Sequence, residues 1–361
     1  MGKIGVVTLF GYVNYGNKLQ NYAVQRIFEK AGYAVETIVC IDNWWYEPCA
    51  RIYHLGKALL GDKIAARKNK LRMFTKEYLP VRFIYSKNKH ISESIAREYS
   101  FFVVGSDQVW NPEIDLSLWN YFLQFASKNQ RICLSPSIAT ENIPVEKYNL
   151  FKEGMSGFQH LSCREEKGAE LIYEMTGKKC EWLLDPTLYI TKDEWQKFEE
   201  PISIAKKYVL CFFLGNISDG AKTSINQYAE INSLEVINLN DIQCSYYVSN
   251  PQQFVWMIDH SQMIFTDSFH ATAFSINMNK PFYVFERKET QDIANHMFSR
   301  LESLTKMFEL QDRCVSQFKD KDMEFTTDCD FQRVNMILFE KRRKMQKYID
   351  VCLNQKKDNL G

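Results

Sequence analysis

The sequence predicts an α/β protein made of two doubly wound, Rossmann-like domains facing a cleft. Short β-branched apolar runs alternate with helical periodicity from residue 3 onward. A polar stretch at 191–207, with Pro201 inside it, interrupts the alternation, which then restarts. The length of 361 residues suits roughly two domains at about 150 residues each. The expected division is a domain over 1–195, a second over 205–330 and a terminal helix over 331–361.

Residues 3–10 read as a buried strand and 11–16 as a turn. From Asn17 the apolar residues Leu19, Tyr22, Ala23, Ile27 and Ala31 recur at three- and four-residue steps, the signature of one helix face. Asn17 is the expected cap, with Gln20 completing a capping box. Gly32 ends the helix and 33–41 is the second strand, which makes a right-handed crossover unit of a parallel sheet. The runs 101–104, 131–134, 159–163 and 182–184 each hand over to a polar turn in the same way. After the junction, strands are expected at 208–214, 234–239, 262–266 and 281–285. Helices are expected at 221–231, 254–260 and 269–278, and a charged amphipathic helix from 331.

Hydrophobic residues make up 45% and charged residues 25%, a globular balance that excludes disorder, collagen-like repeats and a disulfide miniprotein. The net charge of +1 supplies no global attraction to nucleic acid. It hides a local excess: 51–90 holds 11 Lys/Arg against 2 Asp/Glu, and the remainder of the chain carries −8. Such a run is either a solvated helix face or a contact for an anionic lipid surface or substrate. The ten cysteines form no C-x-x-C pair, and no apolar stretch approaches the ~20 residues of a spanning helix. The chain is expected in the cytoplasm with reduced thiols, with peripheral contact at the inner face of the membrane kept open by the basic segment.

Four strand-to-helix handovers carry residue types suited to chemistry. Thr266-Asp267-Ser268-Phe269-His270-Ala271-Thr272 puts a hydroxyl, an imidazole and a small Ala at the positive end of a helix, an arrangement suited to an anion. Ser268 could equally be a plain cap and His270 a core residue. Ser162-Cys163-Arg164-Glu165 offers a guanidinium for a carboxylate or phosphate, or a simple ion pair with Glu165. Asn14-Tyr15-Gly16-Asn17 and Gly105-Ser106-Asp107-Gln108-Val109-Trp110-Asn111 set amides, a carboxylate and an aromatic ring where a sugar could be held. Both are also ordinary turn chemistry. Trp44-Trp45-Tyr46 is a further sugar platform or a domain-packing cluster. The sequence lacks G-x-G-x-x-G after the first strand, a Walker loop, G-x-S-x-G and H-E-x-x-H. The D-x-D triplets at 320–322 and 328–330 follow no apolar strand and are read as chance. No metal, flavin or nicotinamide is indicated.

Taken in order, these blocks resemble the polysaccharide pyruvyl transferases, from Lys3-Ile4-Gly5 and Asn14 to Gln20, through 104–111, Ser162 to Glu165, Asp185-Pro186-Thr187 and Thr266 to His270, to Ser299-Arg300-Leu301. The resemblance implies a glycosyltransferase-B-like fold. It also implies transfer of a pyruvyl group from phosphoenolpyruvate, a co-substrate rather than a cofactor, onto a sugar diol of a polysaccharide or lipid-linked oligosaccharide, with release of phosphate. It assigns Arg164 and His270 to the donor and to catalysis, with Ser137, Ser268 and Phe269 beside them, in a positive pocket between the two halves. Asn14, Gly16, Asn17, Asp107, Gln108, Trp110 and Asn111 fall on the acceptor side, in the N-terminal domain. Ala271 stands where the family commonly has Gly, the 135–139 turn matches only at Ser137, and Ser299 replaces a frequent Asn. A nucleotide-sugar glycosyltransferase of the same architecture is the alternative enzyme, and a non-catalytic sugar-binding protein the alternative class.

Overall fold

A computed structural model describes residues 2–114, 116–288, 291–316 and 323–355, and of 291–297 the backbone alone. The first half is a five-stranded parallel sheet of β1 (Lys3–Val7), β2 (Ala34–Ile41), β3 (Val81–Tyr85), β4 (Phe101–Val104) and β5 (Arg131–Cys133), in the order β3-β2-β1-β4-β5. β6 (Leu161–Cys163) and β7 (Cys180–Trp182) form a separate parallel pair. The second half is another parallel sheet of β8 (Tyr208–Phe212), β9 (Glu235–Asn238), β10 (Met263–Thr266), β11 (Phe282–Phe285) and β12 (Cys314–Val315), in the order β12-β11-β10-β8-β9. The strand order reverses between β1 and β4 in one sheet and between β8 and β10 in the other. Ligands of open α/β sheets sit beyond the carboxyl ends of strands at such reversals.

The first helix, α1 (Tyr15–Lys30), starts two residues before the expected cap. Asn14, in extended backbone, caps it by accepting from the amides of Gly16 at 2.7 Å and Asn17 at 3.4 Å. Asn17 therefore lies inside the first turn, its side chain free for other work. The polar junction is more ordered than its composition suggests. Thr191 caps the helix Lys192–Phe198 with a capping box, and Trp195 of that helix is fully buried. Trp195 donates to the Thr187 carbonyl and packs between Tyr22 and Phe274. Tyr15 stacks on Phe254 of the other half at 4.8 Å, so one apolar core joins the two sheets. The terminal helix Phe331–Asn354 returns to the first half. Its buried stripe of Val334, Leu338, Met345, Ile349 and Cys352 follows helical spacing, and Tyr348 donates to the Cys133 carbonyl at 2.7 Å.

None of the ten cysteines is in a disulfide. Among the described residues no helix is long and apolar enough to cross a membrane. The D-x-D at 320–322 lies outside the described residues, and Asp330 of the other triplet caps the terminal helix. The basic segment builds α2 (Tyr46–Leu59) and α3 (Lys63–Tyr78), but not all its charge is solvated. Arg67 is buried against the rings of Tyr15 and Tyr247, Arg72 lies over Tyr12, and Arg82 pairs with Glu98.

Candidate functional site

Both reversal points open onto the same place. At the carboxyl end of β10, Asp267 turns back and accepts from the amides of Leu214 and Gly215 and from Arg287 Nε, each at 2.7 Å. These bonds tie the two loops of the second sheet together, so Asp267 is a clamp rather than a ligand group. Ser268 then caps the helix Phe269–Met278, accepting from Ala271 at 3.5 Å. Its first turn carries Phe269 and His270 inward, and Ala271 is wholly buried.

From the first half, Arg164 follows β6 and lies over the Phe269 ring at 4.1 Å. It donates through Nε to Glu165 at 3.0 Å and through Nη1 to Asp185 at 3.2 Å. Asp185, after β7, also accepts from Ser106 at 2.7 Å and from the Thr187 amide and hydroxyl. His270 Nε2 lies 3.8 Å from the same Asp185 oxygen that Arg164 contacts. The guanidinium and the imidazole thus meet at one carboxylate, although they come from different sheets. His270 Nε2 is buried with no hydrogen-bond partner among the described residues. Buried polar atoms are rarely left so without a functional reason.

The electrostatics correct one expectation. Arg164, Arg300 and Arg287 are accompanied by Asp185, Glu165, Asp107 and Asp267, so the pocket is a compensated charge network rather than a simple positive one. Burial raises the cost of every charge here. It opposes ionisation of Asp185, yet His270 in its protonated form, Arg164 and the hydroxyls of Ser106 and Thr187 hold that carboxyl below its usual value. Burial pushes His270 down, helped by Arg164 and Arg300 and opposed by Asp185, so the imidazole is neutral at neutral pH. Burial, with repulsion from Arg164, brings Arg300 to about 10.

The residues expected on the acceptor side divide. Asn17 donates to Asp107 at 3.0 Å and to the Leu9 carbonyl at 2.6 Å, which ties the first turn of α1 to the turns after β1 and β4. With its amide turned so that the oxygen faces Arg300, Gln108 accepts from that guanidinium at 2.8 Å. The Asn111 side chain accepts from Glu113 and shapes its own loop. Asn14 is the α1 cap, and Gly16 lies against the imidazole of His270: a Cβ there would stand 2.1 Å from Nδ1. Trp110 is corrected outright. It is fully buried, donates to the Tyr121 carbonyl at 2.9 Å and packs on Phe122 and Phe158, so neither face is open to a sugar. Ser137 donates to Glu165 at 2.5 Å and so supports Arg164 indirectly. Lys18, next to Asn17, is buried over the rings of Phe10 and Tyr12 and brought down to about 7, chiefly by burial.

Asp185, Glu165, Ser106 and Arg300 were not among the residues expected to act. Asp185-Pro186-Thr187 and Ser299-Arg300-Leu301 did stand out as blocks, so their order along the chain was the available signal. Among the described residues, Glu199, Asp259 and His260 bring ligand atoms of the kind that hold cations within 4.8 Å of one another. None of the three belongs to the Arg164–His270 network, and Asp259 is engaged by Gln196.

A family model described as polysaccharide pyruvyl transferase matches residues 14–289. No curated protein matches the sequence. Among solved structures, the UDP-GlcNAc 2-epimerase from Methanocaldococcus jannaschii is similar at 12% identity and a TM-score of 0.50, covering 98% of this chain and 93% of that one. UDP-N-acetylglucosamine 2-epimerase from Rickettsia bellii has a TM-score of 0.48 at 11% identity, over 98% of this chain and 97% of its own. At such identities the likeness concerns the fold, which is of the glycosyltransferase-B type with two Rossmann-like sheets.

Proposed function

Since the chain belongs to the polysaccharide pyruvyl transferase family, we propose that it transfers a pyruvyl group from phosphoenolpyruvate to a sugar diol of a glycan or lipid-linked oligosaccharide, forming a cyclic ketal and inorganic phosphate. The observation that carries this reading is the meeting of Arg164 and His270 at Asp185, with Arg300 close enough to Arg164 to feel its charge, at the reversal points of both sheets. Two guanidiniums suit the phosphate and carboxylate of the donor.

In the reaction a proton adds to C3 of the enol and one sugar hydroxyl bonds to C2. The C2–O bond to phosphate breaks, and the second hydroxyl closes the ring. The two hydroxyl protons are balanced by the one gained at C3 and the one carried off by phosphate. Neutral His270 is fitted to accept the proton of the attacking hydroxyl at Nε2, and Asp185 stabilises the imidazolium that results. Arg164 and Arg300 stabilise charge as phosphate departs, a preorganised electrostatic role. Asp107, held by Asn17, orients the diol.

The expected result is that phosphoenolpyruvate raises the melting temperature while UDP- and GDP-sugars do not. Phosphate should then be released when glycosides presenting 4,6- or 3,4-diols are added. Stabilisation by a nucleotide sugar alone would replace this reading with the glycosyltransferase one. Because a base must be unprotonated, kcat/KM should rise with pH through a pKa below the ordinary ~6.5 of histidine. An acid limb centred above that value would remove His270 from the role.

A further inference from the structure

We propose that α2 docks the protein onto an anionic bilayer. The helix leaves the carboxyl end of β2, the same sheet edge that carries Asn17 and Asp107, and buries none of its residues. Its inner side, with Glu47, Ala50, His54 and Ala58, is half-buried toward α3, where His54 meets Arg72 and Asn69. Its outer side presents Trp45-Tyr46, Ile52-Tyr53 and Leu59-Leu60. These are three apolar pairs seven residues apart, so they line one side of the helix. Trp45 is 75% exposed, Ile52 72%, Leu59 81% and Leu60 87%. A contiguous apolar stripe of this size on a protein surface marks a contact.

Charge selects the occupant. Arg51 and Lys57 are exposed beside the stripe, in a segment whose Lys and Arg outnumber its Asp and Glu by nine although Arg67, Arg72 and Arg82 are taken up in the fold, while the rest of the chain carries −8. Two copies of this chain meeting through the stripe would oppose like charges. An anionic bilayer attracts this face and repels the others, which also orients the molecule. Trp and Tyr at the start of the helix suit the headgroup level, and the leucines at its end suit the acyl boundary. α3 reaches across the cleft, where Lys63 donates to the Ile242 carbonyl and Arg67 to Asn240, so docking brings the cleft to the membrane surface. The binding itself does not depend on the donor chemistry proposed above.

The test is sedimentation of the full chain with phosphatidylcholine vesicles, with and without phosphatidylglycerol. The chain should partition onto the anionic vesicles with a blue shift of tryptophan fluorescence. Ile52→Glu with Leu59→Glu should lower partition by about tenfold or more with unchanged melting temperature, since both sites are exposed. Arg51→Glu with Lys57→Glu should weaken it more at low than at high salt. Equal partition of the Ile52/Leu59 variant and the parent overturns the proposal, as does a parent that stays in solution with both vesicles. A parent that dimerises through the stripe without binding vesicles also overturns it, and assigns the stripe to a second copy.

Discussion

Replacing Gly16 by alanine is expected to reduce phosphate release by roughly 10²–10⁴-fold, about as much as removing the imidazole of His270 itself. An added Cβ would lie 2.1 Å from Nδ1, 2.4 Å from Cγ and 2.8 Å from Cβ of His270. The clash reaches the root of the side chain, so rotating the ring does not relieve it. Either the imidazole leaves Asp185 or the first turn of α1 moves away from the helix Phe269–Met278. Helix propensity argues the other way, since alanine is favoured over glycine by up to about 1 kcal/mol in a helix interior. A loss of turnover therefore reports the contact and not a weakened α1. The double variant with His270→Gly sharpens the test, because it removes both the imidazole and the Cβ that a methyl group at position 16 would meet at 2.8 Å. Its turnover should equal that of His270→Gly alone, and its melting temperature should fall no further than that of His270→Gly. Full phosphate release by Gly16→Ala would show that the imidazole position is not needed.

The handovers were legible in the sequence because they are local. A buried run followed by turn chemistry places Asp107, Arg164, Asp185 and His270 at carboxyl ends of strands, whatever the rest of the chain does. Their convergence was not legible, since the His270–Asp185 approach and the Gly16–His270 contact are set by how the two sheets meet. The cap of α1 was misplaced because Asn14 and Asn17 are equally good caps by type, and Asn14 is the one with extended backbone. Trp110 looked available because it stands in a polar block, yet residues 122 and 158 supply the rings that enclose it. Charge was the least legible property. Arg67 and Arg72 belong to a basic run by sequence and to aromatic stacks in the fold, and the Arg164–His270 pocket brings its own carboxylates.

Those carboxylates make the two arginines separable. Arg164→Met and Arg300→Met should each cut phosphate release by roughly 10²–10³-fold, the usual scale for losing a preorganised charge-stabilising group. Their stabilities should differ. Removing Arg164 leaves Asp185 and Glu165 buried without the cation that bridges them, and breaking a buried pair typically costs about 3–5 kcal/mol. Arg300 is a cation that burial and Arg164 already disfavour, so its loss should lower the melting temperature less. Pairing Arg164→Met with Asp185→Asn removes charge from both sides and should restore much of the stability. It should restore none of the turnover, because the donor still lacks its guanidinium. If activity returned with stability in that double variant, Arg164 would be a structural bridge, and donor binding would have to rest on Arg300 and His270. Phosphoenolpyruvate should stabilise the parent and fail to stabilise either methionine variant, a readout independent of turnover.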